Sequence, residues 1–124
     1  MGAMVQIVPA ADVLEVRLTR RERVAGLLRD LTVPWDSVTA VSVEDDGIRA
    51  VRGLRAPGLA LPRRVKIGTW RQRGRRSYVV VRAGEPALRV QLEGERYDEL
   101  LLGHPDAHEL AGELTRRSAT STGG

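Results

Sequence analysis

His104 and His108 stand four residues apart, with Asp106 and Glu109 beside them. That spacing can put two imidazoles on one helix face, and imidazole is a common ligand for zinc. A zinc site needs a third protein ligand, and His104 precedes the helix that the pattern predicts. No metal is therefore expected, and the pair reads as two ordinary histidines at a helix start. Asp45-Asp46 and Asp98-Glu99 are adjacent carboxylates. General acid–base chemistry needs two carboxyl groups held in different environments across a substrate. Neighbours in sequence more often mark a solvated turn. Ser37, Ser42, Ser77, Ser118 and Ser121 stand outside any G-x-S-x-G elbow. No glycine-rich phosphate loop occurs, and the chain contains no cysteine. The residues thus predict no catalytic site, no cofactor and a chain that is not an enzyme.

Charge is the stronger signal. Of the 20 basic residues, Lys66 is the only lysine, so the chain is rich in arginine, which stays charged and can grip anions bidentately. Between Gly47 and Gly84 there is no Asp or Glu, while Lys66 and ten arginines bring that stretch to +11. The remainder carries 9 basic and 16 acidic residues, or −7, and the whole chain is +4. Such asymmetry predicts a cationic face over residues 49–82. The residues expected to meet an anionic partner are Arg63, Arg64, Lys66, Trp70, Arg71, Arg73, Arg75, Arg76, Tyr78 and Arg82. The partner classes that fit are an acidic protein surface, an anionic membrane surface or nucleic acid. Folding the acidic remainder over the arginines is the competing outcome.

At 124 residues, with 42% apolar and 29% charged residues, the chain is long enough to bury one core. A single globular domain over 1–117 is expected, then a flexible tail over 118–124. No apolar run approaches the roughly 20 residues that span a bilayer, so no transmembrane segment is expected. Met1-Gly2-Ala3-Met4 shows neither a charged region nor an apolar run, so no secretory leader is expected. A cytoplasmic location, with attachment at the membrane periphery as one option, follows.

The elements that must position these residues are mostly strands. Leu14, Val16 and Leu18 alternate with Glu15 and Arg17. Thr19 and Glu22 then suggest a capping box, and Val24, Leu27, Leu28 and Leu31 form a helical stripe, predicting a short helix near 20–29. A strand hairpin through the same residues is the alternative. Val38 to Glu44 reads as a strand, Asp45-Asp46-Gly47 as a turn, and Ile48 to Val51 as a returning strand. Residues 53–62, with two glycines and two prolines, read as a surface loop. Val65 to Trp70, Ser77 to Val81 and Leu88 to Leu92 predict an antiparallel meander, with Tyr97 to Leu102 as a short fourth strand. Asp106 and Glu109 suggest a capping box for a last helix, with Ala107, Leu110, Ala111 and Leu114 on its apolar face and Arg116 and Arg117 in its final turn.

The turn between the first two meander strands decides where the aromatics point. A three-residue turn, Arg73-Gly74-Arg75, sets Trp70 opposite Tyr78 on the outer face among Lys66, Arg76 and Arg82, where they can stack on a base or enter a lipid interface. A two-residue turn shifts the pairing by one and separates them onto opposite faces. The three-residue turn is preferred, because the shorter turn places Arg82 across from Val65.

The fold class is therefore α+β: mainly antiparallel strands, in a partly open barrel or two-sheet sandwich capped by a C-terminal helix. Two stretches resemble the bacterial pleckstrin-homology-like and GRAM-like domains. One runs from Leu14 to Val43, where Leu18-Thr19 leads through Arg23-Val24 to Val33-Pro34-Trp35-Asp36-Ser37-Val38. The other is the strand, strand, strand, helix finish from Val65 to Arg117. The helix near 20–29 and the loop at 53–62 depart from that pattern. The resemblance implies a non-catalytic binding or interaction module. A small nucleic-acid-binding protein is the alternative, with a small-molecule carrier or enzyme behind it.

Overall fold

The computed structural model describes residues 5–20, 28–51, 54–61 and 64–123, with the backbone alone for 54–61 and 119–123. The expected helix near 20–29 falls largely on 21–27, and Arg63 likewise lies outside the described residues. Two sheets pack face to face, and the C-terminal helix closes one side. Strands β1 (Gln6–Pro9), β2 (Val13–Arg17) and β3 (Leu31–Pro34) form an antiparallel three-stranded sheet. A 3₁₀ turn, Trp35–Ser37, leads into β4 (Val38–Glu44) of the second sheet. That sheet continues with β5 (Leu54–Leu61), β6 (Val65–Gln72), β7 (Arg75–Arg82), β8 (Ala87–Leu92) and β9 (Glu99–Gly103), in the order β4-β8-β9-β7-β6-β5. Neither sheet closes on itself, so the molecule is a sandwich rather than a barrel. The expected α+β class, mainly antiparallel with a closing helix, is the one observed.

Alternation builds the core between the sheets. Leu14 and Val16 of β2 and Val33 of β3 meet Ile67, Tyr78, Val80, Leu88, Val90, Leu100 and Leu102 of the large sheet. Helix α2 (Ala107–Gly123) adds Ala107 and Leu114, both fully buried. The 3₁₀ turn buries Trp35, whose indole Nε1 donates to the Ala10 carbonyl at 3.0 Å, so the polar edge of the ring has a partner. Among the described residues, no helix is long and apolar enough to cross a membrane.

Five expectations need correction. The meander is interrupted: β9 lies between β7 and β8, parallel to the first and antiparallel to the second. Leu100, Leu101 and Leu102 are all buried, and a strand apolar on both faces belongs in the middle of a sheet. The residues expected as a loop at 53–62 contain β5, paired with β6 through a register shift between Arg55 and Gly58. Pro57 has no N–H to donate, which an edge strand with a bulge tolerates. Ile48 to Val51 do not return as a strand. Asp46 accepts from the Arg49 N–H and caps a helical turn, α1 (Gly47–Ala50). A Cβ at Gly47 would stand 3.1 Å from Ala87 Cβ and 3.2 Å from Val81 Cβ, so glycine lets this turn lie on the sheet. The last helix runs on past Arg117 to Gly123, with the Ser118 hydroxyl donating to the Val38 carbonyl at 3.2 Å. At its start the Asp106 N–H is held by His104 Nδ1 at 3.0 Å, the place expected for Glu109.

The fifth correction is the hairpin register. Gln72 pairs with Arg75 and Trp70 with Ser77, so the turn has two residues, Arg73 and Gly74, with φ of 51° and 82°. Positive φ at both central positions is the pattern of a type I′ turn, whose twist matches that of the flanking strands. Glycine meets it without strain, whereas arginine in the left-handed region costs roughly 1 kcal/mol. Gly74→Ala is expected to destabilise the fold by about 1 kcal/mol, and Arg73→Asn to stabilise it by several tenths, both read from urea midpoints at unchanged m.

Candidate functional site

The outer face of the large sheet, away from the shared core, has two halves. At one end Trp70, Val79, Val81, Ala87 and Leu101 form a second apolar cluster with Ala50, and Ile48 and Val51 pack against it. Lys66 reaches across to this end, its Nζ 3.5 Å from the Ile48 carbonyl. At the other end the face is an open polar groove of about 580 Å³. It is lined by Glu44 of β4, Arg89 and Gln91 of β8, Glu99 of β9, Ser77 and Arg75 of β7, Gln72 of β6 and Arg73 of the turn.

Arg89 organises the floor of the groove. Its Nε donates to Glu44 Oε2 at 2.9 Å, one terminal nitrogen to Glu99 Oε1 at 2.8 Å and the other to the Ala50 carbonyl at 3.0 Å. Ser77 Oγ donates to the second oxygen of Glu99 at 2.8 Å. The Arg89 and Glu99 side chains are only 11% and 12% exposed, so both charges are desolvated and need one another. Burial pulls the Arg89 pKa down, but hydrogen bonds and Coulombic attraction from Glu44 and Glu99 outweigh it, and the net shift is upward. Arg89, Ser77 and Glu99 are spent on one another and on Glu44 and the Ala50 carbonyl, so the set shapes the floor of the groove, with Glu44, 38% exposed, at its open side.

The free charge is at the tip of the β6–β7 hairpin, with Arg75 on the groove's face and Arg71 and Arg76 on the opposite face of the sheet. Arg71 pairs across the hairpin with Arg76, Arg73 is in the turn, and Arg75 extends a terminal nitrogen to Gln91 Oε1 at 3.1 Å. Arg71, Arg73 and Arg75 are exposed and Arg76 is half-buried. Among the described residues, none of these four guanidinium groups has a carboxylate within ion-pair distance. Asp98, beside the hairpin, is held by backbone: its Oδ2 accepts from the Arg76 N–H at 2.7 Å. Like charges directly opposite on paired strands destabilise a sheet, so Arg71 facing Arg76 has no structural benefit to explain it.

The remaining expected site residues do not join this cluster. Arg64 and Arg82 lie at the opposite end of the hairpin, about seven residues and so roughly 23 Å along the strands from the turn. The aromatic pair is a clear correction. Trp70 is 4% exposed in the second apolar cluster. Tyr78 is 1% exposed on the other face, where its hydroxyl donates to the Arg29 carbonyl at 2.7 Å and its ring meets Tyr97 edge-on at 5.2 Å. Neither presents a ring to solvent, because the two-residue turn sends them to opposite faces and each is covered there. Arg89, Glu44, Glu99 and Ser77 were not legible as a set. The signal was Arg89 and Gln91 alternating with Leu88, Val90 and Leu92 along a strand, but the partners of Arg89 depend on β9 lying between β8 and β7.

His104 and His108 do not converge. His104 Nδ1 accepts from the Asp106 N–H, while His108 Nε2 is 4.0 Å from Asp45 Oδ1. Among the described residues, no group of three or more His, Asp or Glu is placed to hold a metal ion. No protein-family model, curated protein or solved structure matches the chain.

Proposed function

We propose that this chain is a non-catalytic binding module, of the pleckstrin-homology-like kind, that meets an anionic surface with the tip of the β6–β7 hairpin. The observation that carries this reading is the group Arg71, Arg73, Arg75 and Arg76, gathered over one turn with no internal counterion among the described residues. Arg73 adds to it, since a charged side chain is kept at φ 51° where Asn or Gly would be more stable. Two sheets closed by a C-terminal helix agree with the resemblance, and the absence of cysteine agrees with a cytoplasmic location.

The tip has no exposed aromatic ring, so stacking of single-stranded bases does not contribute, and the nucleic-acid alternative loses its platform. An anionic membrane or an acidic protein face fits better. Four basic residues near an anionic bilayer contribute about 4 kcal/mol in all, equivalent to a dissociation constant near 1 mM. The tip alone would therefore hold the protein weakly and in a salt-dependent way. Co-sedimentation with phosphatidylserine-containing vesicles at low salt is expected to recover the protein. Binding should vanish with phosphatidylcholine alone and in the variant Arg71→Gln, Arg73→Gln, Arg75→Gln, Arg76→Gln. Equal recovery of wild type and variant would reject the tip as the contact.

A further inference from the structure

Arg29 and Arg96 come from distant parts of the chain and line one cleft of about 420 Å³. Arg29 precedes β3, and Arg96 lies in the connection between β8 and β9. Asp30, Leu31, Tyr78 and Tyr97 complete the lining among the described residues. A space of this size falls within the range of small-ligand sites. Tyr78 and Tyr97, 1% and 9% exposed and edge-on to one another, form its floor.

Both cations are placed by something other than an acid. The Tyr78 hydroxyl donates to the Arg29 carbonyl at 2.7 Å, which ties that backbone to the large sheet. The Arg96 guanidinium carbon stands 5.8 Å from the centroid of the Tyr97 ring, a cation–π contact. Both arginines are exposed, and among the described residues neither guanidinium has a carboxylate within ion-pair distance. The acids on the same segments are engaged. Asp30 Oδ1 accepts from the Leu18 N–H at 2.8 Å, Asp98 Oδ2 from the Arg76 N–H at 2.7 Å and Glu95 Oε2 from Ser37 Oγ at 2.6 Å. Two guanidinium groups against the one carboxylate of Asp30 leave the lining net positive. Arg76, on the Tyr78 face of β7, and Arg71 across from it add to that field. A carboxylate fills the fork of one guanidinium, whereas a phosphate monoester has three terminal oxygens and can meet two.

We propose that this cleft binds a phosphate monoester, with the phosphate held between Arg29 and Arg96 and the ester body lying over Leu31 and Tyr97. The site uses neither Arg73 nor Arg75, and it stands whether or not the hairpin tip meets an anionic surface.

Calorimetric titration of the full chain with phenyl phosphate is expected to saturate, with a dissociation constant of about 0.1–1 mM. Benzoate, which keeps the ring and carries one carboxylate, should bind about tenfold more weakly. Arg29→Gln with Arg96→Gln should weaken phenyl phosphate binding by at least about tenfold and keep the melting temperature within about 2 °C, since the Tyr78 bond is to backbone. Arg29→Lys with Arg96→Lys, which keeps the charge and loses the forks, should bind at an intermediate level. Arg73→Gln with Arg75→Gln should bind as the wild type does. Vesicles containing phosphatidic acid separate a lipid headgroup from a soluble ester as the source of the phosphate. Retention that phenyl phosphate displaces and the Arg29, Arg96 variant loses assigns a lipid, and retention indifferent to both assigns a soluble ester. No saturation by about 10 mM, equal affinity for benzoate, or unchanged binding by the Arg29, Arg96 glutamine variant would overturn the proposal. So would an equal loss in the Arg73, Arg75 variant, since the turn would then be what holds the phosphate.

Discussion

Arg89→Met is expected to lower the melting temperature by about 10 °C. The substitution keeps much of the side-chain volume and removes hydrogen bonds to Glu44, Glu99 and the Ala50 carbonyl. It leaves the Glu99 carboxylate, 12% exposed, without a cation. Removing one partner of a fully buried pair costs roughly 3–5 kcal/mol. Glu44 is 38% exposed and can recover water, so about 2–4 kcal/mol is the expected loss here. For a chain of this length each kcal/mol moves the midpoint by roughly 3–5 °C. Arg89→Lys should recover only part, since one ammonium cannot span three acceptors as a guanidinium does. Adding Glu44→Gln and Glu99→Gln to Arg89→Met should restore stability, because no unpaired charge remains. A loss undiminished in the triple variant would show that packing, and not charge, is responsible.

The pH dependence of this network follows from the sign of the shift. The folded pKa of Arg89 is raised, so its contribution is fully present below the unfolded value and is lost only as pH climbs through the folded one. That window lies above the ordinary arginine range. The stability gap attributable to Arg89 ionisation should therefore be flat between about pH 6 and 9. A gap that closes within that interval would assign the effect to another group.

Trp70→Ala is expected to cost about 3–5 kcal/mol, or roughly 10–20 °C in melting temperature, the range for emptying a buried tryptophan site. The ring is 4% exposed and packs with Val79, Val81 and Leu101 beneath α1. Trp35, the other tryptophan, is 2% exposed. Intrinsic fluorescence of the native protein should therefore be blue-shifted and poorly quenched by acrylamide. A near-neutral Trp70→Ala, with red-shifted and quenchable emission, would mean that the outer face is open at that point and that the hairpin has the other register.

The register shows where sequence reasoning stopped. Both faces of β6 and β7 are buried along much of their length, Ile67 and Val80 on one side and Trp70 and Val79 on the other. Either pairing then buries apolar groups, and the hydrophobic pattern cannot choose between them. The turn decides it, and Arg73 is not a residue whose type announces positive φ. β9 was misplaced for a related reason. Leu100 to Leu102 lack alternation, and only the topology shows that both faces of this strand are covered. By contrast, β2 and α2 carried their burial in plain periodicity, through Leu14 and Val16 and through Ala107, Leu110 and Leu114. The cationic stretch was legible as composition. Its division into two ends of one hairpin, with four arginines at the tip, was not, because strand length and turn position together set that distance.

Retention on heparin through a salt gradient, run on the wild type and on the four-glutamine variant of Arg71, Arg73, Arg75 and Arg76, tests the cationic tip most directly. Late elution of the wild type is predicted, with elution of the variant near the void and melting temperatures that agree within about 2 °C. Elution of both proteins together, or a variant that loses retention only because it has unfolded, would contradict an exposed, unpaired arginine tip as the binding surface.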